Sequence, residues 1–328
     1  MINILQIGLG PLGQKIGRYI AERKGFQTVG AVDKNPTLIG QNFGQLSGIE
    51  GLDVVITGNI SEAIQATQPD VVVLSTVSDM VRITQQLREI LPLGVSVVST
   101  CEELAYPWDT SPDLSKEIDA LAKANNVAVL GTGVNPGFLM DALPTFLTSV
   151  AQNVEFVEVK RFQDARHRRL PFQRKIGAGL TLEAFEAKKK TGTLRHVGLT
   201  ESMQMIAHRM GWTLDKTEDI LTPIIATETI ETDAMTIPKG NAMGVKQIGR
   251  GYCGRALKIE LNFQAAVGLA ESFDEVSIKG TPNITSKIEG GVNGDIATCA
   301  IIINAIPQVL RASAGLKTML DIPLVSFV

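Results

Sequence analysis

Three groups of residues in this chain have types and spacing suited to chemistry. The first is Gly8, Gly10 and Gly13 within Ile2 to Gly13, INILQIGLGPLG. Six mostly apolar residues lead into a G-x-G-x-x-G spacing, which reads as strand, tight turn and helix N-terminus. Gly8 allows the turn, Gly10 lets a pyrophosphate approach the backbone, and Gly13 lets the new helix pack closely on the strand. With Pro11 heading the helix, the N–H groups of its start, from Leu12 onward, then face the phosphates. A second strand, Thr28 to Val32, ends on Asp33. An acidic residue about twenty positions past the last glycine suits a ribose hydroxyl pair. Lys34 follows directly: the aspartate argues for NAD, while the lysine can attract a 2'-phosphate, so NAD with some tolerance of NADP is expected.

The second group is Ser99-Thr100-Cys101-Glu102-Glu103, after the apolar run Val95 to Val98. Ligands gather at the carboxyl ends of strands in open α/β sheets, and Leu74-Ser75-Thr76-Val77-Ser78 ends another such run. Ser75, Thr76 and Thr100 are therefore cofactor candidates, with Ser78 read as the cap of a helix beginning near Asp79. Glu102 or Glu103 is a candidate general acid/base. An amine oxidised by hydride loss must first shed a proton from nitrogen, and hydrolysis of the imine needs a base for the attacking water. Cys101 is a weaker candidate as a nucleophile, because two adjacent carboxylates suppress the thiolate. It reads as a buried small hydrophobe.

The third group is the basic loop Arg166-His167-Arg168-Arg169-Leu170-Pro171-Phe172-Gln173-Arg174-Lys175-Ile176-Gly177-Ala178-Gly179. Arginine forks bind carboxylates or phosphates, and glycines before a helix permit close approach. Of the three histidines, His208 reads as mid-helix, whereas His196 sits in a loop before a helix and is placed to line a substrate cavity.

The elements that position these groups follow from patterning. Short, continuously apolar runs at Val54 to Ile56, Val71 to Leu74, Val95 to Val98 and Val127 to Leu130 are expected of parallel strands buried on both faces. After Gly131-Thr132-Gly133-Val134-Asn135-Pro136-Gly137 a helix is expected over about Phe138 to Val150, and the alternation stops. A long strand from Val154 to Phe162, helices near Leu182 to Lys190 and Thr200 to Met210, and strands near Ile224 to Met235, Gly254 to Ala266 and Glu275 to Lys279 follow. Ala256, Lys258, Glu260 and Asn262 alternate with Leu257, Ile259, Leu261 and Phe263, the pattern of a sheet with one solvated or partner-covered face. The apolar helix at about Asp295 to Ala312 is expected to pack back onto the first domain. The expected fold is α/β: an N-terminal Rossmann doubly wound parallel sheet over 1–145, completed by 292–328, plus a second α+β domain with an open mixed or antiparallel sheet over 146–291.

Composition bounds the partners. The 31 basic and 34 acidic residues nearly cancel, so nucleic acid and acidic membrane surfaces are not expected. Three dispersed cysteines and three histidines give no disulfide framework and no metal site. A reducing cytoplasm fits, with no signal peptide or membrane span expected.

Taken together, GLGPLG (Gly8 to Gly13), VDKNP (Val32 to Pro36), STCEELAYP (Ser99 to Pro107), GTGVNPGFLMDALP (Gly131 to Pro144), RRLPFQRKIGAG (Arg168 to Gly179) and HVGLTES (His196 to Ser202) resemble the 2,4-diaminopentanoate dehydrogenase family and its relatives, the native amine dehydrogenases. The resemblance covers nearly the whole chain. The first domain also resembles dihydrodipicolinate reductase, whose histidine pair and lysine loop are not found. The resemblance implies NAD(H)- or NADP(H)-dependent oxidative deamination, reversible as reductive amination of a ketone or aldehyde with ammonia. It implies a catalytic glutamate at Glu102, with Glu103 as the alternative, a substrate pocket lined by Asn135, Phe138, Met140, Arg168 and His196, and a homodimer paired through the second domain's sheet.

Overall fold

The computed structural model describes every residue except His167 and Arg169. The chain divides into two units, Met1–Phe138 with Asn293–Val328, and Leu139–Val292. With elements numbered in chain order, the first unit holds strands β1 (Ile2–Ile7), β2 (Phe26–Val32), β3 (Ile56–Thr57), β4 (Val71–Leu74), β5 (Ser96–Ser99), β6 (Ala128–Gly131) and β15 (Gly315–Lys317). They form one parallel sheet in the order β15-β6-β5-β4-β1-β2-β3. Its helices are α1 (Pro11–Ala21), α2 (Phe43–Ser47), α3 (Ile60–Thr67), α4 (Met80–Ile90), α5 (Pro112–Ala124) and α10 (Gly294–Arg311).

Strand alternation divides the core in two. Leu5, Ile7, Val72, Leu74 and Val97 face Ile60 and Ile64 of α3, Ile83 and Leu87 of α4 and Ile118 of α5. Ile4, Val71, Val73 and Val98 face Ile16 and Ile20 of α1 and Ile302 and Ile306 of α10. Helices on both faces explain why the strands read as unbroken apolar runs. The apolar C-terminal helix thus closes the first unit's core. The run at Val54 keeps only Ile56 and Thr57 as strand, and β15 is a sheet edge too short to show in the sequence.

The second unit holds α6 (Ala142–Leu147), β7 (Asn153–Asp164), α7 (Leu170–Lys175), α8 (Leu182–Lys190), α9 (Leu199–Arg209), β8 (Lys216–Ile225), β9 (Ile230–Glu231), β10 (Thr236–Ile237), β11 (Ala242–Cys253), β12 (Ala256–Ala266), β13 (Phe273–Thr281) and β14 (Ile284–Glu289). Its main sheet runs β14-β13-β7-β12-β11-β8, antiparallel except for the parallel pair β7 and β12. The covered face carries a cross-strand row in register: Asp274, Arg161, Phe263, Gln247 and Leu221.

Two expectations need correction. The helix expected from Phe138 starts only at Ala142, because Gly137 holds φ +125° and the Asp141 carboxylate accepts from Ala142 N–H at 2.6 Å as its cap. The strand expected near Ile224 to Met235 is instead the end of β8 followed by the small pair β9 and β10; β8 is an edge strand, which admits Pro223 and blurs the alternation.

Candidate active site

The glycine turn lies where β1 ends. Gly8 adopts φ +90°, and a Cβ there would stand 2.4 Å from the Ser75 carbonyl oxygen, so the turn and the end of β4 are locked together. Gly10 behaves differently. It is the N-cap of α1, with no side-chain cap and no acid in the first turn, and a Cβ built on it meets nothing within 4 Å. Packing within the protein therefore gives no reason for glycine at this position; a group approaching from outside does. The uncapped N–H groups and the roughly half-unit positive end of the helix dipole suit an anion there.

Gly8, Gly10, Asp33, Lys34, Ser75 and Thr76 line one cavity of about 300 Å³. Asp33 takes Leu9 N–H on Oδ2 at 2.7 Å and Asn35 N–H on Oδ1 at 2.8 Å. Those bonds fix the carboxylate and leave lone pairs for hydroxyl donors. Lys34 is exposed, and Thr76 Oγ1 donates to Gln86 Oε1 at 2.7 Å. Ile7, Val32, Ile60, Val77 and Gln86 complete the lining; Ile60, Val77 and Gln86 were not singled out from sequence, since two are single apolar residues among polar neighbours and the third is an ordinary helix-face polar residue. Pro11 occupies the first helical position, Leu12 packs against the α1 and α10 core, and Gly13 is buried. Thr100 lies two strands from β1, its N–H on the Leu74 carbonyl at 3.1 Å. These residues fit a dinucleotide: an open glycine at an uncapped helix start, and an anchored acid at the next strand's end.

The glutamate pair sits in a 3-10 turn, Glu102–Ala105, at the end of β5. Three contacts fix it. The fully buried Ser99 accepts Cys101 N–H on Oγ at 3.1 Å and donates to the Leu74 carbonyl at 3.0 Å. Gly131 at the end of β6 lets the turn dock, since a Cβ there would lie 2.6 Å from Leu104 C. Glu103 donates its N–H to Ser78 O at 3.2 Å and accepts Met80 N–H on Oε2 at 2.8 Å. The cap of α4 is accordingly Asp79, which takes Arg82 N–H at 2.9 Å, with Glu103 beside it; Ser78 contributes only its carbonyl. Glu103 is thus tied to a helix start, while Glu102 is half-buried on the same turn. Cys101 is buried, and burial pushes its thiol well above the ordinary range, followed by Glu102 and Glu103. Both features fit a small buried hydrophobe rather than a thiolate nucleophile.

Beyond β6, Thr132 donates its N–H to Ser99 O at 2.9 Å and Val134 donates to Thr298 Oγ1 at 3.2 Å, which holds the loop containing buried Asn135. Phe138 is half-buried and closes the first unit's N-terminal segment.

In the second unit Met140 is fully buried, and Asp141 accepts Ser202 Oγ–H at 2.8 Å. Arg168 stacks on Phe172 with its guanidinium carbon 4.1 Å from the ring centroid; His167 and Arg169 of the same loop lie outside the described residues. Gln173, buried in that loop, donates to the carbonyls of Ala165, Arg166 and Arg168 at 3.0 to 3.1 Å. The His196 ring packs on Phe263 at 4.7 Å, and its Nδ1–H lies 2.9 Å from the Val197 carbonyl. Burial, then the charges of Lys175 and Arg161, push its pKa down to about 3, so the ring is neutral with Nε2 as acceptor. Gln247 accepts His196 N–H at 2.6 Å and donates to its carbonyl at 3.2 Å. The buried pair Arg161 and Asp274, at 2.9 Å, was missed because its partners stand far apart in sequence; Arg161 Nη2 also donates to Val292 O at 3.0 Å. Among the described residues no group of acids, histidines and cysteines is arranged to hold a metal.

Fold and nucleotide cavity together define an NAD(P)-dependent dehydrogenase. The relatives narrow this. Residues 138–328 match the 2,4-diaminopentanoate dehydrogenase C-terminal domain and residues 2–100 the dihydrodipicolinate reductase N-terminus. The chain is 33% identical to a 2,4-diaminopentanoate dehydrogenase of Acetoanaerobium sticklandii over 98% of this chain and 93% of that one. An amine dehydrogenase of Streptomyces virginiae is 21% identical over 99% and 97%. The solved amine dehydrogenase of Mycobacterium smegmatis superimposes with a TM-score of 0.86 at 25% identity, covering 100% of this chain and 97% of that one. The chain belongs to the 2,4-diaminopentanoate dehydrogenase family, oxidoreductases of CH–NH2 donors.

Proposed function

We propose that this protein is an amine dehydrogenase that reversibly deaminates an amine, working in the other direction as a reductive aminase of a ketone or aldehyde with ammonia. The observation that carries the reading is the division of labour on one turn: Glu103 holds α4, and Glu102 beside it is at the carboxyl edge that also carries the nucleotide cavity. The dinucleotide, when bound, supplies or accepts the hydride. Glu102 handles the protons: it takes one from the ammonium form of the amine, and in reverse it protonates the departing hydroxyl of the ammonia adduct. The balance is carbonyl plus ammonia, reduced dinucleotide and a proton, giving amine, oxidised dinucleotide and water.

Gly8, Gly10, Pro11, Leu12 and Gly13 are proposed to hold the pyrophosphate, with Asp33 on the adenosine ribose and Ser75, Thr76 and Thr100 along the strand ends. The carboxylate of Asp33 opposes a 2'-phosphate, which supports NAD; exposed Lys34 supports a tolerance of NADP. Asn135, Phe138, Met140, Arg168 and His196 are the proposed substrate residues. A carboxylate-bearing diamine is the second reading, favoured by the cationic Arg168 and by the relation to 2,4-diaminopentanoate dehydrogenase.

A homodimer is inferred from the second sheet's other face, where Lys160 bridges Glu158 and Glu275, Arg250 pairs with Glu260, and Phe162 lies on Phe273. Among the described residues no helix is long and apolar enough to cross a membrane; a cytoplasmic location is part of the proposal.

The test is absorbance at the reduced-nicotinamide band, with NADH or NADPH, ammonia, and a panel of cyclohexanone, small aldehydes and 2-amino-4-oxopentanoate. Oxidation requiring both ammonia and carbonyl supports the reading, and the best substrate separates simple amine from diamino acid. No turnover with any member, dinucleotide binding having been demonstrated, refutes it.

A further inference from the structure

Gln6 is the one polar residue in the buried part of β1, Ile4 to Ile7, and is fully buried, on the side of β1 that also carries Ile4. A primary amide in such a place costs free energy unless its polar atoms are paired. Its Nε2 donates to Ser75 Oγ at 2.9 Å and to the Gly8 carbonyl at 3.3 Å. Ser75 Oγ in turn donates to the Gly8 carbonyl at 2.9 Å. Its Oε1 is buried and has no hydrogen-bond partner. The amide is therefore only half satisfied, and a well-packed apolar residue of similar volume would serve the core at least as well. What it contributes is a triangle joining β1, the glycine turn and the end of β4.

That triangle adjoins the nucleotide cavity. Both of its other corners, Gly8 and Ser75, line the cavity. Gly13, at the start of α1, packs on the same two groups: a Cβ on it would lie 1.9 Å from Gly8 O and 2.9 Å from Ser75 Oγ. The orientation of the Gly8 carbonyl thus sets how close α1 comes, and with it where the uncapped N–H groups of Leu12 and Gly13 stand. We propose that Gln6 is a positioning residue for the dinucleotide: through Ser75 and the Gly8 carbonyl it holds the glycine turn and the start of α1 in the geometry that binds the pyrophosphate. It touches neither hydride nor amine, so its effect falls on cofactor affinity and leaves the chemical step alone. The inference rests on the dinucleotide reading of the cavity.

The test is direct titration of NADH by its fluorescence, alongside steady-state kinetics and thermal unfolding, for wild type, Gln6→Met, Ser75→Ala and the double variant. Wild-type binding establishes the dinucleotide reading first; if wild type binds neither NADH nor NADPH, that reading fails and the inference with it. Given binding, Gln6→Met is expected to raise the NADH dissociation constant and KM about tenfold, the worth of a hydrogen bond or two. Its kcat at saturating cofactor should stay within about twofold and its thermal midpoint within a few degrees. Ser75→Ala, which removes a cavity-lining hydroxyl as well as a corner of the triangle, should weaken NADH binding at least as much, and the double variant should be no worse than the poorer single, since both cut one triangle. Unchanged NADH affinity in Gln6→Met overturns the proposal, as does a fall in kcat with KM untouched. Should Gln6→Met not fold, unchanged affinity in Ser75→Ala overturns it alone.

Discussion

Met80 donates its backbone N–H to the Glu103 carboxylate at 2.8 Å, which closes the first turn of α4 with a residue from the turn after β5. Glu103 is thereby tied to a helix start, and its neighbour Glu102 is the residue proposed to handle protons. Glu102→Ala is expected to lower kcat by 10²-fold or more, the usual cost of losing a general acid/base, with NADH affinity nearly unchanged. Glu103→Ala should instead cost about 1 kcal/mol of stability, the worth of a helix cap, read in urea unfolding, with a smaller effect on kcat. Activity surviving Glu102→Ala would remove the proton-handling assignment.

The two glycines of the turn should separate binding from folding. Gly10→Ala adds a methyl group that meets no protein atom, so thermal unfolding should be nearly unchanged while NADH affinity falls. Gly13→Ala places its Cβ 1.9 Å from Gly8 O and should impair both. Equal NADH affinity in Gly10→Ala and wild type would mean that no ligand comes close to that backbone.

His196 makes a pH prediction with a definite sign. Its folded pKa is pushed down to about 3, below the ordinary value of 6.5, so the unfolded chain takes up the proton first. The stabilisation from a neutral ring is complete above about pH 6.5 and is lost as pH falls toward 3, up to about 2 kcal/mol between pH 7 and 5. Denaturant unfolding of His196→Asn should show a shallower loss over that window than wild type. It follows that a kinetic pKa near 6.5 does not belong to His196; if His196→Asn abolishes such a limb, the neutral-ring assignment is wrong.

Arg161 and Asp274 are both nearly fully buried, with side chains 3% and 5% exposed. Arg161→Met leaves the Asp274 carboxylate inside without its cation and should cost about 3–5 kcal/mol in urea unfolding. Replacing both, by Arg161→Met with Asp274→Leu, should recover most of that loss. A double variant as unstable as the single would show that the bonds to Val292, rather than the charge pair, hold this part of the sheet.

Much of this architecture is legible in the chain because local rules suffice. The glycine spacing, the apolar run before it and the acid after the second strand all act within one βαβ unit, and the structure brings Gly8, Gly10, Asp33, Lys34, Ser75 and Thr76 to one cavity. What escapes is whatever depends on distant partners. Nothing local says that Glu103 rather than Glu102 meets the start of α4, a residue 23 positions earlier. Ser78 looks as good a cap as Asp79 until φ and ψ are fixed. Gln6 reads as an interruption of a strand, and Arg161 as one more surface cation in an alternating strand, until Ser75 and Asp274 are folded against them.

The most direct measurement is the mass of the product formed from a ketone, NADH and 15N-labelled ammonium, with NADH oxidation followed in parallel. The account predicts an amine carrying one 15N for each NADH consumed, and no product when ammonium is left out. An alcohol without nitrogen, or NADH oxidation that does not need ammonium, would contradict it.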